Sequence, residues 1–448
     1  MTSQLVIQRT DWWSTHQLLV LEGCFYGEGI KPHIPQSAAL LCAGLLVLAA
    51  CGGSSSSGGV SGASSGTIVF ATQGLGSEGD ATNKAVAAFQ QANPSIKVQI
   101  LNLSPTSNTA YQQLTQRFIS GSSTPDVATA DVIWSATFAK SGWIMPLNSF
   151  NPNTSNFFPG QVQAGTYNGK LYGLPWFINA EGVYYRTDLT PTAPKTPQDL
   201  TSMAKAASSK DPNVRIGLAY EGAKYEGVVT AFLNFAGGFG GSLDLKHLNS
   251  SQNVQALNYM KNSIYSDKIS PQSVTSWQES DVQQAYLSGQ AAFAMNWPYI
   301  YSLAEAPGSS MKGKVGWIPF PAGSNTPKAA LGGDALVINS KSTLAPAAWK
   351  FVQFLNSDSI QIDRAVTAGD PPAVKSAYNQ SLYSQAAYFQ QQKPVFDVAT
   401  PRPVTPLYPR VSDVLQTQLN AALSNQVSPQ DALNSAQSQI NSILSGGG

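Results

Sequence analysis

Histidine and cysteine are scarce in this chain of 448 residues, which contains three of each. The cysteines are Cys24, Cys42 and Cys51, and His247 is the one histidine that follows them. The chain beyond residue 51 therefore has no disulfide, no cysteine metal site and no zinc site built on two histidines. A Ser-His-Asp hydrolase would depend on His247 alone, and no signature surrounds that residue.

Charged residues are also few, at 11% of the chain, and the formal net charge is +1. This balance provides no electrostatic attraction to nucleic acid or to an anionic membrane surface. The chain has no G-x-x-x-x-G-K-[ST] loop and is not expected to hydrolyse ATP. Its acids are scattered singly, whereas a glycosidase needs two that face each other. A pair chosen from Glu78, Asp131, Glu181 and Glu226 keeps that enzyme open as an alternative.

The N-terminal part has the pattern of a leader and an anchor. Ala38–Ala50 is an apolar run that is too short to span a bilayer, which takes about 20 residues, and it suits a signal peptide. Leu48–Gly52 resembles a bacterial lipobox, which predicts that Cys51 becomes a lipidated N-terminus. Residues 51–66 are rich in Gly and Ser, as is typical of a flexible tether. We interpret residues 1–50 as a leader whose start is over-extended.

Beyond the tether, β-type and α-type patterns alternate. Thr67–Gln73 predicts a strand, and a helix from about Asp80 follows a glycine-rich turn that holds Glu78. A dinucleotide site on this turn would need an acid about 20 residues later, yet no Asp or Glu occurs between Asp80 and Asp126. The alternation over about 380 residues predicts a two-lobed α/β protein rather than a single sheet.

Gly169–Asp188 predicts the hinge between the lobes. Two short strands are expected there, Leu171–Leu174, ended by Pro175, and Val183–Tyr185. Between these strands lie two aromatic and two polar side chains: Trp176, Phe177, Asn179 and Glu181. Such a mixture suits a cleft wall better than a sealed core, although an ordinary hairpin with a half-buried tryptophan is the plainer alternative.

Other candidate residues come at the ends of predicted strands or in loops. Asp131 ends a short buried strand, and Leu331–Asp334 predicts a tight turn. The remaining candidates are Glu226 on a polar turn, Trp297 and Tyr299 after the strand Ala291–Asn296, and Arg402 in a proline-rich extended segment. Sugars offer C–H faces that stack on aromatic rings and hydroxyls that bond to carboxylates and arginine. Four other tryptophans are expected in the core: Trp134, Trp143, Trp317 and Trp349.

From Thr67 to Leu444 the chain resembles the family 1 extracellular solute-binding proteins, the sugar receptors of bacterial ABC importers. The likeness rests on the lipobox and on seven further segments: Thr124–Trp134, Gly142–Leu147, Gly169–Asp188, Pro194–Leu200, Gly289–Tyr299, Leu331–Asn339 and Arg402–Leu415. Asn296–Pro298 and Arg402–Pro403 look most like the trehalose/maltose-type branch.

The resemblance implies a type II-like periplasmic-binding-protein fold, in which a ligand is enclosed between two lobes. We expect lobe 1 to comprise residues 67–177 and 334–377, and lobe 2 to comprise residues 178–333 and 378–448. The sugar contacts that the resemblance suggests are Glu78, Asp131, Asn179, Glu226, Trp297, Gly332, Gly333 and Arg402. We expect Trp176 to support the Trp297 stacking platform and Glu181 and Tyr299 to lie in the same cleft.

Two positions depart from the branch. Many relatives carry an acid in place of Asn179 and a tryptophan in place of Asp334, so the identity of the sugar is open. Asp334 adds a hydrogen-bonding group or shrinks the pocket.

The chain is therefore expected to be a monomeric receptor that is anchored outside the cytoplasm through a lipid on Cys51. It would capture a disaccharide or short oligosaccharide and deliver it to the transmembrane subunits of an ABC permease, which works with a separate ATPase. Neither a metal nor a cofactor is expected. The alternatives are a glycosidase and a receptor for another solute, such as an oligopeptide or a polyamine.

Overall fold

The structure is a computed structural model that describes residues 60–74, 77–104 and 107–446. The predicted leader, Cys51 and the first part of the tether lie outside the described residues. The last part of the tether is described, and there the backbone N–H of Ala63 donates to the carbonyl of Thr343 (2.9 Å). Val60 packs at the edge of a hydrophobic core.

Short strands and helices alternate along the described chain. The strands are β1 Gly66–Thr72, β2 Ile96–Asn102, β3 Val127–Asp131, β4 Thr166–Tyr167, β5 Lys170–Leu171, β6 Gly173–Ala180, β7 Gly182–Arg186, β8 Ile216–Ala219, β9 Ala291–Asn296, β10 Val315–Ile318, β11 Ala329–Ile338 and β12 Ala399–Thr400. The helices are α1 Ser77–Ala92, α2 Ser107–Ile119, α3 Ser135–Lys140, α4 Pro159–Ala164, α5 Pro197–Lys210, α6 Glu226–Gly238, α7 Ser251–Tyr265, α8 Glu279–Leu287, α9 Tyr299–Glu305, α10 Ala345–Leu355, α11 Asp358–Ala368, α12 Gln380–Tyr383, α13 Tyr388–Asp397, α14 Tyr408–Leu423 and α15 Pro429–Ser445.

Two sheets organise these elements. The six-stranded sheet has the order β12-β11-β3-β1-β2, and β6 pairs with β11 as well. The four-stranded sheet has the order β10-β7-β9-β8. β1 runs parallel to β2 and β3, whereas β11 runs antiparallel to both β3 and β6. The carboxyl end of β3 therefore meets the middle of β11 at one edge of the larger sheet.

Each sheet has its own hydrophobic core. Phe70, Phe89 and Phe351 belong to the core of the larger sheet, and their rings meet edge to face. The helices α6, α7, α14 and α15 pack in the core of the smaller sheet. Residues 378–448 contribute to both cores, because Leu382 and Phe389 pack with the larger sheet. The predicted lobe boundaries remain a prediction.

The start of α5 follows from its local sequence, Thr-Pro-Gln-Asp at residues 196–199. The Thr196 side chain accepts a hydrogen bond from the backbone N–H of Asp199 (3.0 Å), and the Asp199 carboxylate accepts one from the N–H of Thr196 (2.9 Å). Pro197 occupies the first helical position, where the missing N–H costs nothing. This reciprocal arrangement is a capping box, and it explains why the local sequence sufficed to place the start of the helix.

Two strand predictions were wrong. Pro175 does not end a strand but lies within β6, opposite Ala335, where the register with β11 shifts. A bulge tolerates proline because the ladder is locally interrupted and no N–H is required there. Leu331–Asp334 is not a tight turn but part of β11, which pairs with β6 along this stretch. Pairing with neighbouring strands overrides the low β-propensity of its glycines.

The chain crosses from the larger sheet to the smaller one at Glu181, between β6 and β7, and returns between β10 and β11. Asn234 of α6 ties these two crossings together. Its amide donates to the Glu181 carboxyl, and its amide oxygen accepts from the backbone N–H of Ala330 (3.0 Å). The N–H of Glu181 also donates to the Ala330 carbonyl (3.0 Å). Asn234 is fully buried, so these bonds have no competition from water.

Within residues 60–74, 77–104 and 107–446, none of the helices combines the length and the hydropathy needed to cross a membrane.

Asn234→Ala should lower the free energy of unfolding by about 2 to 4 kcal/mol, because it leaves a buried carboxyl and a buried N–H without their partner. Urea denaturation of the purified chain measures this change. Asn249→Ala is the matched control, since Asn249 makes an exposed side-chain hydrogen bond to Asn434. The control should change stability by less than about 0.5 kcal/mol. Equal effects in the two variants would show that Asn234 does not brace the crossing.

Candidate functional site

A cavity of about 700 Å³ lies where strands of both sheets end. The larger sheet supplies Asp131, Asn179 and Asp334 to its lining, and the loop after β9 of the smaller sheet supplies Trp297. A smaller cavity of about 260 Å³ adjoins it and shares Asp131, Phe177 and Asp334. We refer to these two cavities together as the cleft.

The cleft brings together all but one of the residues singled out in the sequence. Its lining includes Glu78, Asp131, Trp176, Asn179, Glu226, Trp297, Tyr299, Gly332, Gly333, Asp334 and Arg402. Glu181 does not line it and is fully buried. The first and last of these lining residues, Glu78 and Arg402, are more than 300 positions apart in the sequence. The tertiary structure therefore brings them together. Their roles in binding stay a prediction.

Arg402 and Glu226 form the centre of a polar network at one side of the cleft. The Nη1 of Arg402 donates to Oε1 of Glu226 (2.8 Å), and its Nη2 donates to the Leu331 carbonyl (3.2 Å). The hydroxyls of Tyr408 and Ser412, both on α14, also donate to the Glu226 carboxylate. Glu226 is not on a polar turn, as predicted, but is the first residue of α6, where the helix dipole favours a carboxylate.

Arg402 is only 6% exposed, so its charge depends on neighbouring acids. Besides the bonded Glu226, the Oδ1 of Asp131 lies 3.8 Å from its Nη2. Asp131 is also held by its own backbone, because Oδ1 accepts from the N–H of Ile133 (3.1 Å). Burial raises the pKa of Asp131 above its ordinary value, and the nearby Arg402 opposes that rise.

Trp297 presents a half-buried ring to the cleft, and two glycines make room around it. A Cβ on Gly332 would lie 2.7 Å from the Trp297 ring. Gly333 has φ of +89°, and a Cβ there would collide with the carbonyl oxygen of Phe177. Residue 332 therefore has to be glycine to leave room for the Trp297 ring against the strand. Residue 333 has to be glycine so that its backbone can lie against the backbone of Phe177. The Tyr184 hydroxyl holds the loop by donating to the Trp297 carbonyl (2.8 Å).

Trp176 lies differently from the expectation. It belongs to β6 and not to a loop. Because side chains alternate between the two faces of a strand, Phe177 and Asn179 line the larger cavity, whereas Trp176 does not. Its side chain is 1% exposed, with the Arg364 guanidinium 4.6 Å above the ring. Trp176 lines only the smaller cavity, beside Glu78. It is a buried support and not an open stacking surface.

Glu78 lies in the first turn of α1, which begins three residues earlier than the sequence predicted. It is half-buried and lines the smaller cavity. Burial and the nearby Asp370 raise the pKa of Glu78 to about 7, although Arg364 opposes the rise. Arg364 also pairs with Asp370, at 2.6 Å.

Glu181 and Glu221 form a buried pair of carboxyl groups next to the cleft. Both residues are fully buried, and among the described residues neither oxygen of Glu221 has a hydrogen-bond donor. Burial raises the pKa of both groups, to about 8 for Glu181. Glu181 therefore bonds to Asn234 at the crossing between β6 and β7 and does not line the cleft.

Several lining residues were not recognised in the sequence. Trp134 was expected in the core and is 5% exposed, but it also borders the larger cavity, with Tyr111 5.5 Å away. Other unrecognised lining residues include Tyr225, Glu279, Tyr408, Ser412 and Gln416. Tyr408, Ser412 and Gln416 are spaced four residues apart along α14, and this helical spacing was the one signal available for them.

Another groove has a volume of about 630 Å³. It is lined by Thr154, Phe157, Val162, Lys375 and seven further residues, none of which was predicted for the site. Lys375 is its one charged residue. It lacks the converging acids and aromatic rings of the cleft.

Comparison with known proteins agrees with this geometry. Residues 74–362 match the family described as bacterial extracellular solute-binding protein. The chain belongs to this family. The match covers the strands that frame the cleft from β2 to β11, whereas Arg402, Tyr408 and Ser412 lie beyond the matched range.

Two curated relatives are similar over most of the chain. A protein of Deinococcus radiodurans named as a probable ABC transporter-binding protein is 29% identical over 394 residues, which covers 84% of this chain and 93% of the relative. The maltodextrin-binding protein MdxE of Bacillus subtilis is 26% identical over 310 residues, which covers 64% of this chain and 70% of the relative.

Among solved structures, the maltose-bound MalE3 of T. maritima superposes with a TM-score of 0.74. It is 34% identical, and the alignment covers 84% of this chain and 99% of that one. The predicted two-lobed α/β binding-protein fold is thereby confirmed. Solute-binding proteins bind and release a ligand without converting it, so this chain is not an enzyme and the glycosidase alternative is set aside.

The stability of the protein should fall as the pH rises from about 5 to about 8. The ordinary pKa of Glu181, 4.5, is raised to about 8 in the folded protein, so within this window the folded chain holds a proton that the unfolded chain has released. The free energy of unfolding therefore declines with pH, by at most about 1.4 kcal/mol per pH unit for one such group.

Glu181→Gln should reduce this decline, because glutamine stays neutral in both states. Urea denaturation at several pH values measures the slopes. Glu305→Gln, a half-buried glutamate outside the cleft, is the matched control and should keep the slope of the unsubstituted chain. A slope that Glu181→Gln leaves unchanged would mean that Glu181 is ionised in the folded protein.

Proposed function

We propose that this protein captures a sugar, a disaccharide or short oligosaccharide, in the cleft between its two lobes. The observation that supports this most is the combination of a half-buried Trp297 ring with the Arg402–Glu226 network in one cavity of about 700 Å³. That volume is in the range of small-molecule sites. The relative of 34% identity, MalE3 of T. maritima, was solved with maltose bound.

The chemistry of the lining suits a sugar. A pyranose has an apolar C–H face, which stacks on an indole ring, and hydroxyls at its edge, which both donate and accept. In the proposed complex Trp297 supplies the ring. Asp131, Asn179 and Glu226 accept from hydroxyls, and Arg402 donates through its remaining N–H groups.

Closure of the two lobes around the sugar completes the proposed mechanism. The hinge lies at the crossings beside Glu181 and Ala330, where Asn234 ties the two segments. A ligand favours the closed state only by the difference in its affinity for the open and closed forms. Asn179 and Gly332 lie on the crossing strands themselves, so a sugar that contacts them touches the hinge directly. Rotation about this hinge would bring the lobes together.

The remaining part of the proposal concerns place and partners. The family is extracellular, and we propose that Cys51 carries a lipid that anchors the monomer at the outer face of the cell membrane. The closed, loaded form would dock on the transmembrane subunits of an ABC permease, whose separate ATPase drives uptake. The curated Deinococcus radiodurans relative, named as an ABC transporter-binding protein, supports this partner.

Thermal unfolding of the purified chain in the presence of mono- and disaccharides tests the proposal. A sugar that binds the folded state raises the unfolding midpoint by mass action, because the unfolded state does not bind it. We expect at least one disaccharide of glucose to raise the midpoint, and chromatography of the mixture should recover the sugar unchanged. If no sugar shifts the midpoint while a peptide or polyamine does, the protein is a receptor for another solute.

Trp297→Ala should weaken binding of that sugar by about 30-fold or more, because a buried aromatic anchor contributes about 2 kcal/mol or more at a binding site. Titration calorimetry measures the loss. Trp143→Ala is the matched control, since Trp143 is also half-buried but stacks on Phe118 outside the cleft. The control should keep its affinity within about twofold. Retained affinity in Trp297→Ala would remove this ring from the site.

A further inference from the structure

The cleft contains more acids than bases. Its charged lining residues are five acids and two arginines: Glu78, Asp131, Glu226, Glu279, Asp334, Arg364 and Arg402. A neutral sugar would offer these acids no opposite charge in a partly buried site.

Neither arginine is available to balance the surplus. Arg364 pairs with Asp370 behind the cleft at 2.6 Å, and its guanidinium lies over the rings of Trp176 and Phe177. Arg402 bonds to Glu226 at 2.8 Å. Three of the five lining acids, Glu78, Asp334 and Glu279, therefore have no bonded arginine or lysine among the described residues.

Asp334 is in the least favourable position. In the register of β11 with β3 it lies directly opposite Asp131, and both residues line both cavities. Like charges directly opposite on neighbouring strands destabilise a sheet. Within the described part of the chain no donor bonds to the Asp334 carboxylate, whereas Asp131 has the N–H of Ile133 and the nearby Arg402. Burial, and then Asp131 and Glu78, raise the pKa of Asp334 well above its ordinary value.

Aromatic side chains line the cleft together with this acidic pair. Phe177 lines both cavities, and Tyr111 and Trp134 line the larger one. Carboxylates combined with aromatic faces are suited to an organic ammonium group, which gains from the ion pair and from the ring quadrupoles together. Within the described ranges no group of three acids, histidines or cysteines is arranged so that it could hold a metal ion.

We propose that the sugar taken by this cleft carries a protonated amine, and that this ammonium group binds between Asp334 and Asp131. The ligand is thus an amino sugar or an oligosaccharide that contains one. This inference rests on the proposed function, because it uses the same cleft and assigns the remaining contacts to sugar hydroxyls. Asp334 is the residue that determines the preference for the amine.

Titration calorimetry of the full chain at about pH 6.5, where a sugar amine is protonated, tests the inference. The probes are maltose, trehalose, their amino-deoxy derivatives with one hydroxyl at a time replaced by an amine, and the N-acetylated form of each derivative. At least one amine should bind about tenfold more tightly than its parent sugar and its N-acetylated form, a difference of about 1.4 kcal/mol. Added salt should weaken that amine more than the parent.

Asp334→Asn keeps the size of the side chain and removes its charge. It should bring the affinities of the amine and the parent sugar to within about twofold of each other. Asp363→Asn, the same change on an exposed acid of α11, is the matched control and should keep the tenfold preference.

The outcomes separate this inference from the proposed function. If maltose or trehalose binds and no amine in the series binds more tightly than its parent, the cleft is a neutral-sugar site and the inference is overturned. The same holds if calcium ions are needed for tight binding of the neutral sugar, because a metal would then supply the positive charge. If neither the sugars nor their amino derivatives bind, the proposed function itself fails.

Discussion

The pairing of β6 with β11 is the constraint on which the rest of the structure depends. These two strands carry the chain between the sheets, and their ladder runs from Ala180 opposite Leu331 to Gly173 opposite Val337. Next to the pair formed by Ala180 and Leu331 lie Glu181 and Ala330. The side chain of Asn234 bonds to both of these residues and so closes this end of the ladder. The floor of the cleft is made of the same strands. A ligand that contacted the floor would therefore contact the segments that connect the two sheets.

The acids of this region fall into two groups with different partners. Glu181 and Glu221 lie in the interior without a cation, and burial raises the pKa of both. Glu226 lies at the start of α6, where Arg402 and two hydroxyls bond to its carboxylate. Asn234, which bonds to Glu181, lies on the same helix. One helix therefore contributes both to a polar network that lines the cleft and to a buried contact at the crossing.

Membership of the extracellular solute-binding family explains the scaffold, but the scaffold leaves the ligand open. The strands, the crossings and the position of the cleft belong to the fold, whereas the side chains at its lining decide what is recognised. Asp334 shows the distinction. The backbone of Asp334 pairs with β3 on one side and with β6 on the other, so any side chain at this position points into the cleft. A carboxylate opposite Asp131 changes only the charge that a ligand meets there.

The sequence by itself determined the local structure that short-range chemistry controls. The capping box at Thr196 and the strand Ala291–Asn296 followed from patterns within a few residues, and the two-lobed α/β class followed from the alternation of such patterns along the chain. The family resemblance indicated eight residues of the cleft lining. Only the tertiary structure decided the rest. Pro175 and Gly332 lie within strands because neighbouring strands and the Trp297 ring accommodate them, which no local propensity encodes. Glu181 turned away from the cleft because its partner, Asn234, comes from a helix more than 50 residues later. Long-range pairing decides which side of a strand faces the cleft and which acid has no cation beside it. The pattern of residues along the sequence does not contain that information.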